Sequence, residues 1–375
     1  MLGKSIKTAS LAIAVLLLTT GCWDSVDIED KDITTIVVVD KTVQGYSFTL
    51  EIASPKSGNA GGESGGSEEY TILKSEGSTY VEAREDLDRK ADKPIYLGAV
   101  DSVILTDKLA YSGIEEYVYR LRETGEYRKM VGVVVTTACP EDLLNVKSEH
   151  NTGVGMAIED TLKSLVNTGQ SFHVSLGDIL ESLASPCKCF LLPCMAISDK
   201  EIALSGYSVF DCGTCIGFIP VKKSKGAIFL KAKYPKWDYV VPYENGSATV
   251  GISFRKKDIK PSYSDGKIRF DLDFYVDAKL RYTQNGKPVT DEMDRQIKVE
   301  LQKMIYKELK DTVDASQQEY NCDYLDFFNV FRIAYPVAFR NMEWNQEYTK
   351  AEFAIQVKVD LETTGTLDYE PRIEH

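Results

Sequence analysis

The sequence predicts an α+β protein of several domains, in which mixed or antiparallel sheets pack against helices. In the first half of the chain, apolar strand-like segments alternate with segments of helical periodicity, which favours a mixed sheet covered by helices. In the last hundred residues, two long segments alternate strictly between apolar and polar side chains, and a long helical pattern lies between them. These two patterns together predict the fold class.

The first half opens with two predicted strands, at 34–40 and 46–53, joined by a short turn. The Gly- and Ser-rich stretch 57–69 then predicts a mobile surface loop, because it has too few apolar residues to pack. Thr79 and Glu82 form a capping-box pattern at the start of a helix. That helix shows apolar residues at helical spacing, namely Tyr80, Ala83, Leu87 and Ala91.

Further strands and helices alternate up to the middle of the chain. Residues 100–105 and the β-branched run 130–137 predict buried strands, and 114–121 predicts a helix between them. Helical stretches are expected after Pro140 and Gly153.

The second half is expected to be rich in strands. Residues 202–210 and 215–219 predict a hairpin, and 248–254 predicts a strand. Apolar side chains alternate with polar ones over 268–281 and again over 353–361, which predicts strands with one buried face and one wet face. Between these strands, a helix capped by Thr290 carries an apolar stripe of Ile297, Leu301, Met304, Ile305 and Leu309. We therefore expect a long helix across an antiparallel sheet.

The predicted division of the chain follows a shift in composition, since prolines and cysteines crowd together near 185–200. We expect a signal peptide at 1–21, an N-terminal α+β domain at 22–195 and a C-terminal α+β region at 200–375. The C-terminal region is expected to form either one unit or two subdomains, at 200–260 and 265–370.

Cys22 lies at the end of an export signal. Lys4 and Lys7 precede an unbroken apolar run at 11–18, and small residues lead from it to the cysteine. Thr19 departs from the usual pattern, because leucine is common three places before the cysteine. The arrangement favours diacylation of Cys22, the site of a bacterial lipoprotein's anchor, over a secreted protein with an incidental cysteine. No other stretch reaches the roughly 18 apolar residues of a membrane span, so the chain is expected to be anchored rather than embedded.

The charge balance argues against two modes of binding. The chain has 57 acidic and 44 basic residues, with a formal net charge of −13. Such a balance argues against nucleic-acid binding, which requires clustered Lys and Arg. It also argues against binding of anionic lipid through a cluster of basic residues.

The eight cysteines leave their chemistry open. Cys187, Cys189 and Cys194 cluster around two prolines, and Cys212 and Cys215 form a C-x-x-C pair. Disulfides, free thiols and a metal site all fit these spacings. Cys139 and Cys322 stand alone in the sequence and are expected to be ordinary buried thiols.

The remaining motifs favour no catalytic, cofactor or metal site. Residues 62–66 match G-x-S-x-G around Ser64, but they lie inside the Gly- and Ser-rich loop rather than between a strand and a helix. The three histidines, His150, His173 and His375, form no metal-binding pattern. The protein is therefore expected not to be an enzyme.

The stretch 21–29, Gly-Cys-Trp-Asp-Ser-Val-Asp-Ile-Glu, resembles the opening of the Ger(x)C family, the lipoprotein C subunits of spore germinant receptors. The resemblance continues through Tyr96-Leu97-Gly98, the stretch 206–210, the helix after Thr290 and Glu343-Trp344. The cluster Cys187–Cys215 departs from the family pattern and takes no role from it.

The resemblance implies a non-enzymatic subunit of several α+β domains, lipid-anchored through Cys22 on the outer face of the spore inner membrane. It implies two integral membrane receptor subunits as partners, A-type and B-type, and a function in nutrient-triggered germination without a cofactor. The competing interpretation is a lipid-anchored solute-binding protein of an importer, which would be built from doubly wound lobes with parallel strands. A surface hydrolase using Ser64 or a cysteine-bound metal is a weaker alternative.

Overall fold

The computed structural model describes residues 27–54, 69–146, 153–244, 246–284 and 290–362. Cys22, Ser64, His150 and His375 lie outside the described residues, as do the predicted signal peptide and most of the predicted loop at 57–69. The predictions made for those positions therefore remain predictions.

Within these ranges, nine strands form a first, mixed sheet in the order β3-β2-β1-β5-β6-β7-β8-β9, with the short β4 beside the start of β1. The strands are β1 (Asp32–Thr42), β2 (Gly45–Ser54), β3 (Glu69–Gly77), β4 (Ile95–Tyr96), β5 (Ser102–Thr106), β6 (Gly132–Thr136), β7 (Cys189–Ser198), β8 (Glu201–Asp211) and β9 (Thr214–Pro220). The strands β1, β4, β5, β6 and β7 run parallel, whereas β2, β3, β8 and β9 join by antiparallel pairing. The predicted mixed sheet is confirmed.

The central strand β1 is apolar on both sides because helices cover both faces of the sheet. Val37 and Val39 face one core, and Ile36 and Val38 face the other. The first core takes residues from α1 (Tyr80–Lys90), α2 (Asp107–Ser112), α3 (Glu115–Thr124) and α6 (Leu176–Ala184). The second core takes residues from α4 (Pro140–Leu144) and α5 (Val154–Asn167). A strand buried on both faces shows a continuous apolar run rather than alternation.

The remaining described part of the chain forms a second sheet, in the order β10-β11-β12-β13. Its elements are α7 (Lys225–Lys231), β10 (Lys236–Tyr243), β11 (Gly246–Ser264), β12 (Lys267–Thr283), α8 (Asp291–Asp314), α9 (Phe327–Ala334), α10 (Pro336–Phe339), α11 (Trp344–Tyr348) and β13 (Glu352–Glu362). The predicted apolar face of β12 is fully buried, and the stripe of α8 packs against it. The side chain of Thr290 accepts the N–H of Met293 and so caps α8, as predicted.

The expectation that β13 belongs to an antiparallel sheet is wrong, because β13 pairs with β12 in parallel. The long helix α8 carries the chain back along the sheet, so that β13 starts at the end where β12 starts, as a parallel pair requires. Alternation of side chains records which face is buried and carries no information about strand direction.

The first sheet extends beyond the predicted boundary near 195–200. The strand β7 pairs with β8 across that boundary, and β9 closes the sheet at Pro220. Leu191, Tyr207 and Val209 belong to the same core cluster as Phe270. The two halves therefore share one core, and the domain division stays a prediction.

Candidate functional site

The junction between the two sheets gathers the most unusual side chains among the described residues. We call Cys187, Cys189, Cys322, Asp323 and Trp344 the junction cluster. The first two precede or begin β7 of the first sheet, whereas the other three come from the segments around α9 and α11. All five side chains are buried.

Cys189 and Cys322 form a disulfide with their Cα atoms 5.9 Å apart. This bond joins β7 to the segment that follows α8, and it closes a sequence separation of 133 residues. Cys322 is therefore not the isolated thiol that the sequence suggests. Cys139 is exposed rather than buried, which corrects the second expectation.

Asp323 is a fully buried carboxylate with three protein donors. It accepts hydrogen bonds from the backbone N–H of Phe327 at 3.1 Å, from that of Phe328 at 2.7 Å and from Nε1 of Trp344 at 3.0 Å. The first two donors are orphan N–H groups at the start of α9, so Asp323 caps that helix. Burial, followed by the charge of Asp326, raises the pKa of Asp323 to about 7.

Cys187 completes the junction cluster through hydrogen bonds to Asp323 and Asn345. Its Sγ donates to the carbonyl oxygen of Asp323 at 3.4 Å, and its own carbonyl accepts from the side chain of Asn345 at 3.4 Å. Burial raises the pKa of this thiol well above its usual range. A protonated thiol is a poor nucleophile and a poor metal ligand, so Cys187 serves packing and hydrogen bonding.

The other free thiols have raised pKa values too. Burial raises the pKa of Cys194, Cys212 and Cys215, and a hydrogen bond to Glu141 raises that of Cys139. Among the described residues, no group of three or more His, Cys, Asp or Glu side chains is placed to hold a metal. Among the described cysteines, Cys189 and Cys322 are thus joined by a disulfide, and the other five are free thiols.

A groove of about 540 Å³ lies beside the junction cluster, between α6 and α9. Phe172, Phe190 and Phe328 line it together with Glu181 and Arg332. His173 also lines it and is exposed. A wider concavity of about 890 Å³ lies on the wet face of the second sheet and contains Asp238 and Arg281, whose charged groups are 3.8 Å apart. Exposed ion pairs of this kind are ordinary features of a solvated sheet face.

Glu51 is a buried carboxylate that sequence patterns did not indicate as special. It accepts hydrogen bonds from the hydroxyl of Thr35 at 2.6 Å and from the N–H groups of Val154 at 2.8 Å and Gly155 at 3.1 Å. It therefore caps α5 from the neighbouring strand β2. In sequence, Glu51 resembles the wet position of an alternating strand, which conceals this function.

The comparisons with known proteins cover both halves of the chain. Residues 24–197 match the model described as "Spore germination protein N-terminal domain", and residues 205–365 match "Spore germination B3/ GerAC like, C-terminal". Within the described ranges, no helix is both long and apolar enough to cross a bilayer.

Relatives from Bacillus subtilis (strain 168) align along almost their full length. Spore germination protein KC is 22% identical, with 96% of this chain and 95% of that protein covered. Spore germination protein B3 is 19% identical, with 97% and 99% covered, and spore germination protein A3 is 22% identical, with 96% and 98% covered.

A solved structure shares the fold. The crystal structure of the GerBC protein superposes with a TM-score of 0.53 at 15% identity, covering 87% of this chain and 96% of that one. Since the two family models together span 24–365 apart from 198–204, the chain belongs to the GerAC-like family of spore germination proteins.

Proposed function

We propose that this protein is the lipid-anchored, non-enzymatic subunit of a spore germinant receptor and that it is needed for nutrient-triggered germination. The observation that carries the proposal is the match of both family models, one to each half of the chain. The full-length alignment with proteins named for spore germination supports it.

A non-enzymatic function fits the chemistry of the buried groups. The free thiols are held protonated, and the carboxylates of Asp323 and Glu51 are each engaged by three protein donors. Such groups brace the fold. We therefore place the function on the surfaces with which the protein holds its partners, two integral membrane subunits of A-type and B-type.

We propose that Cys22 carries the lipid and holds the protein on the outer face of the spore inner membrane. Two acyl chains contribute about 0.8 kcal/mol for each buried CH2 group, which is enough to retain a protein without a spanning helix. The solute-binding alternative is not favoured, because the described residues form a nine-stranded sheet with antiparallel flanks and a four-stranded sheet, instead of two doubly wound lobes.

The test begins with deletion of the gene and complementation by the wild type, Cys22→Ala and Cys139→Ala. The last variant is a matched control, since Cys139 is an exposed free thiol. Cys22→Ala is expected to leave the membrane fraction and to lose the germinant response, whereas Cys139→Ala retains both. A deletion strain that still answers every germinant at the normal rate would show that the proposed function is wrong.

The partners are tested by detergent extraction of spore membranes and affinity capture of the tagged protein. Two integral membrane subunits encoded with this chain are expected in the captured material. Recovery of importer permease subunits in their place would support the solute-binding alternative.

A further inference from the structure

We propose that the protein faces the lipid bilayer with one defined edge of its first sheet. At this strand-start edge the parallel strands β1, β4, β5 and β6 begin, and it carries Ile28, Lys31, Lys93, Lys129 and Met130. The partner of this edge is the phospholipid headgroup layer. The inference rests on the proposed lipid attachment at Cys22.

The short connection to Cys22 limits how far this edge lies from the membrane. The described chain begins at Asp27, five residues after Cys22. Because an extended chain spans at most about 3.5 Å per residue, Asp27 lies within about 17 Å of the lipidated cysteine. A short 3-10 turn, Ile28–Asp30, then leads directly into β1.

Parallel pairing brings the starts of neighbouring strands to the same edge. Asp32 of β1 pairs in parallel with Ile95 of β4, and Ile36 of β1 pairs with the first residue of β5. The first residues of β5 and β6, Ser102 and Gly132, are themselves paired. Lys93 therefore lies beside the start of β1, whereas Lys129-Met130 enter β6 at about the level of Ile36, two strands away from β1.

The side chains at this edge suit an interface between lipid and water. Ile28 is 54% exposed and Met130 is 72% exposed, although both are apolar. The ammonium group of Lys31 lies 5.2 Å from the ring centre of Tyr96. Tyrosine and lysine both combine an apolar part with a polar end, so such a pair suits the headgroup region. The carboxylates of Asp27, Asp30 and Asp92 are also exposed in this region. Because their negative charges offset the positive charges of the lysines, the proposed contact does not depend on a net attraction to anionic lipid.

The opposite edge of the sheet provides matched controls. The turn after β1 exposes Val43 completely, and Lys108 is exposed at the start of α2 directly after β5. The two edges are about 33 Å apart along β1, which has 11 residues, and about 13 Å apart along β5, which has 5 residues. Val43 matches Met130 in exposure and apolar character, and Lys108 matches Lys129.

The experiment uses the full chain acylated at Cys22 and reconstituted into vesicles of phosphatidylcholine and phosphatidylglycerol that contain brominated lipid. Met130→Trp and Val43→Trp are compared in a Trp23→Phe background, with Trp237 and Trp344 common to both proteins. We expect the tryptophan added at 130 to lose at least twice as much fluorescence as the one added at 43. Circular dichroism checks that both variants are folded.

A second readout needs no substitution in the folded part. Acetylation of lysines is followed by mass spectrometry on vesicle-bound protein and on the Cys22→Ser protein in solution. Acetylation of Lys93 and Lys129 is expected to slow several-fold on vesicles, and that of Lys108 to stay unchanged.

Flotation of the vesicles tests whether the lipid holds the protein on the bilayer, independently of which edge faces the bilayer. Protein acylated at Cys22 that fails to float would show that this lipid does not hold the chain on a bilayer, which would overturn the proposed anchor and, with it, this inference. If the protein floats but Val43→Trp is quenched as much as Met130→Trp, the proposed facing edge is wrong and the anchor stands. The same conclusion follows if Lys108 is protected from acetylation as much as Lys129.

Discussion

At the scale of single residues, the structure depends on a few buried polar groups that each join several elements. Asp323 joins the start of α9 to the indole of Trp344, and the disulfide beside it joins the first sheet to the same segment. Removal of one partner from such a set leaves buried donors unsatisfied, which costs more than the net contribution of the hydrogen bonds themselves.

Replacing Asp323 with Asn is expected to remove a pH dependence of stability. The pKa of Asp323 is raised from 3.8 to about 7 on folding. Between these values the unfolded chain has lost the proton that the folded chain retains, so the free energy of unfolding falls as the pH rises through this window. Below pH 3.8, and again above about 7, this group contributes no slope.

The measurement is urea unfolding of the wild type and Asp323→Asn at pH values from 4 to 8. The stability of the wild type relative to the variant should decrease from pH 4 to pH 7 and then level off. Parallel pH profiles for the two proteins would show that Asp323 is not the titrating group.

Loss of the disulfide is expected to lower stability by about 2–5 kcal/mol, because the bond restricts a long loop of the unfolded chain. Cys189→Ser, Cys322→Ser and the double variant should unfold at similar temperatures, and a reductant should lower the melting temperature of the wild type alone. Cys212→Ser, which changes an exposed free thiol, is the control. A double variant much less stable than either single variant would mean that the two cysteines act independently.

At the scale of secondary-structure elements, α5 begins with support from outside its own sequence. Its N-cap residue, Gly153, offers no side chain, and a Cβ there would lie 2.6 Å from a carboxylate oxygen of Glu51. The carboxylate of Glu51 takes the place of a local cap and brings a negative charge to the positive end of the helix.

Glu51→Ala is therefore expected to destabilise the protein by about 1–3 kcal/mol through the unsatisfied N–H groups of Val154 and Gly155. Glu51→Gln keeps an acceptor and should lose less. Thermal unfolding of both variants is compared with that of Glu85→Ala, which changes an exposed residue of α1. Equal stability of Glu51→Ala and the control would show that the cap contributes nothing.

The sequence predicts the buried face of β12 correctly from Ile268 to Leu280, because alternation directly reports a sheet with one wet face. It predicts β11 only over 248–254, although the strand continues to Ser264. A bulge between Phe254 and Lys256 shifts the alternation by one residue, and the inward position after it holds Lys257. A period-two pattern cannot be followed across such a shift.

The candidate site was less predictable than the strands. The spacings among Cys187 to Cys215 indicate cysteine pairs close in sequence, yet the partner of Cys189 lies 133 residues away. Asp323 and Glu51 are recognisable only once their donors, which come from other elements, are in place. Tertiary contacts of this kind leave no local signal in a single sequence.

At the scale of the whole molecule, one core connects the two sheets. Leu191 and Tyr207 of the first sheet belong to the same cluster as Phe270 and Leu301 of the C-terminal region. We therefore expect the oxidised protein, from Asp27 onward, to unfold in one calorimetric transition, with equal calorimetric and van't Hoff enthalpies. Two resolved transitions would show that the predicted domains 22–195 and 200–375 unfold independently.

The long span of the disulfide has a consequence for how the protein would mature on the proposed export route. On that route the N-terminus leaves the translocation channel first. Cys139, Cys187, Cys189, Cys194, Cys212 and Cys215 then all reach the oxidising side before Cys322. The correct partner of Cys189 thus arrives last, after five competing thiols, and premature pairing would have to be reversed by thiol exchange. Yield in a secreting host should consequently depend on a disulfide isomerase, and removal of the competitors Cys212 and Cys215 should reduce that dependence.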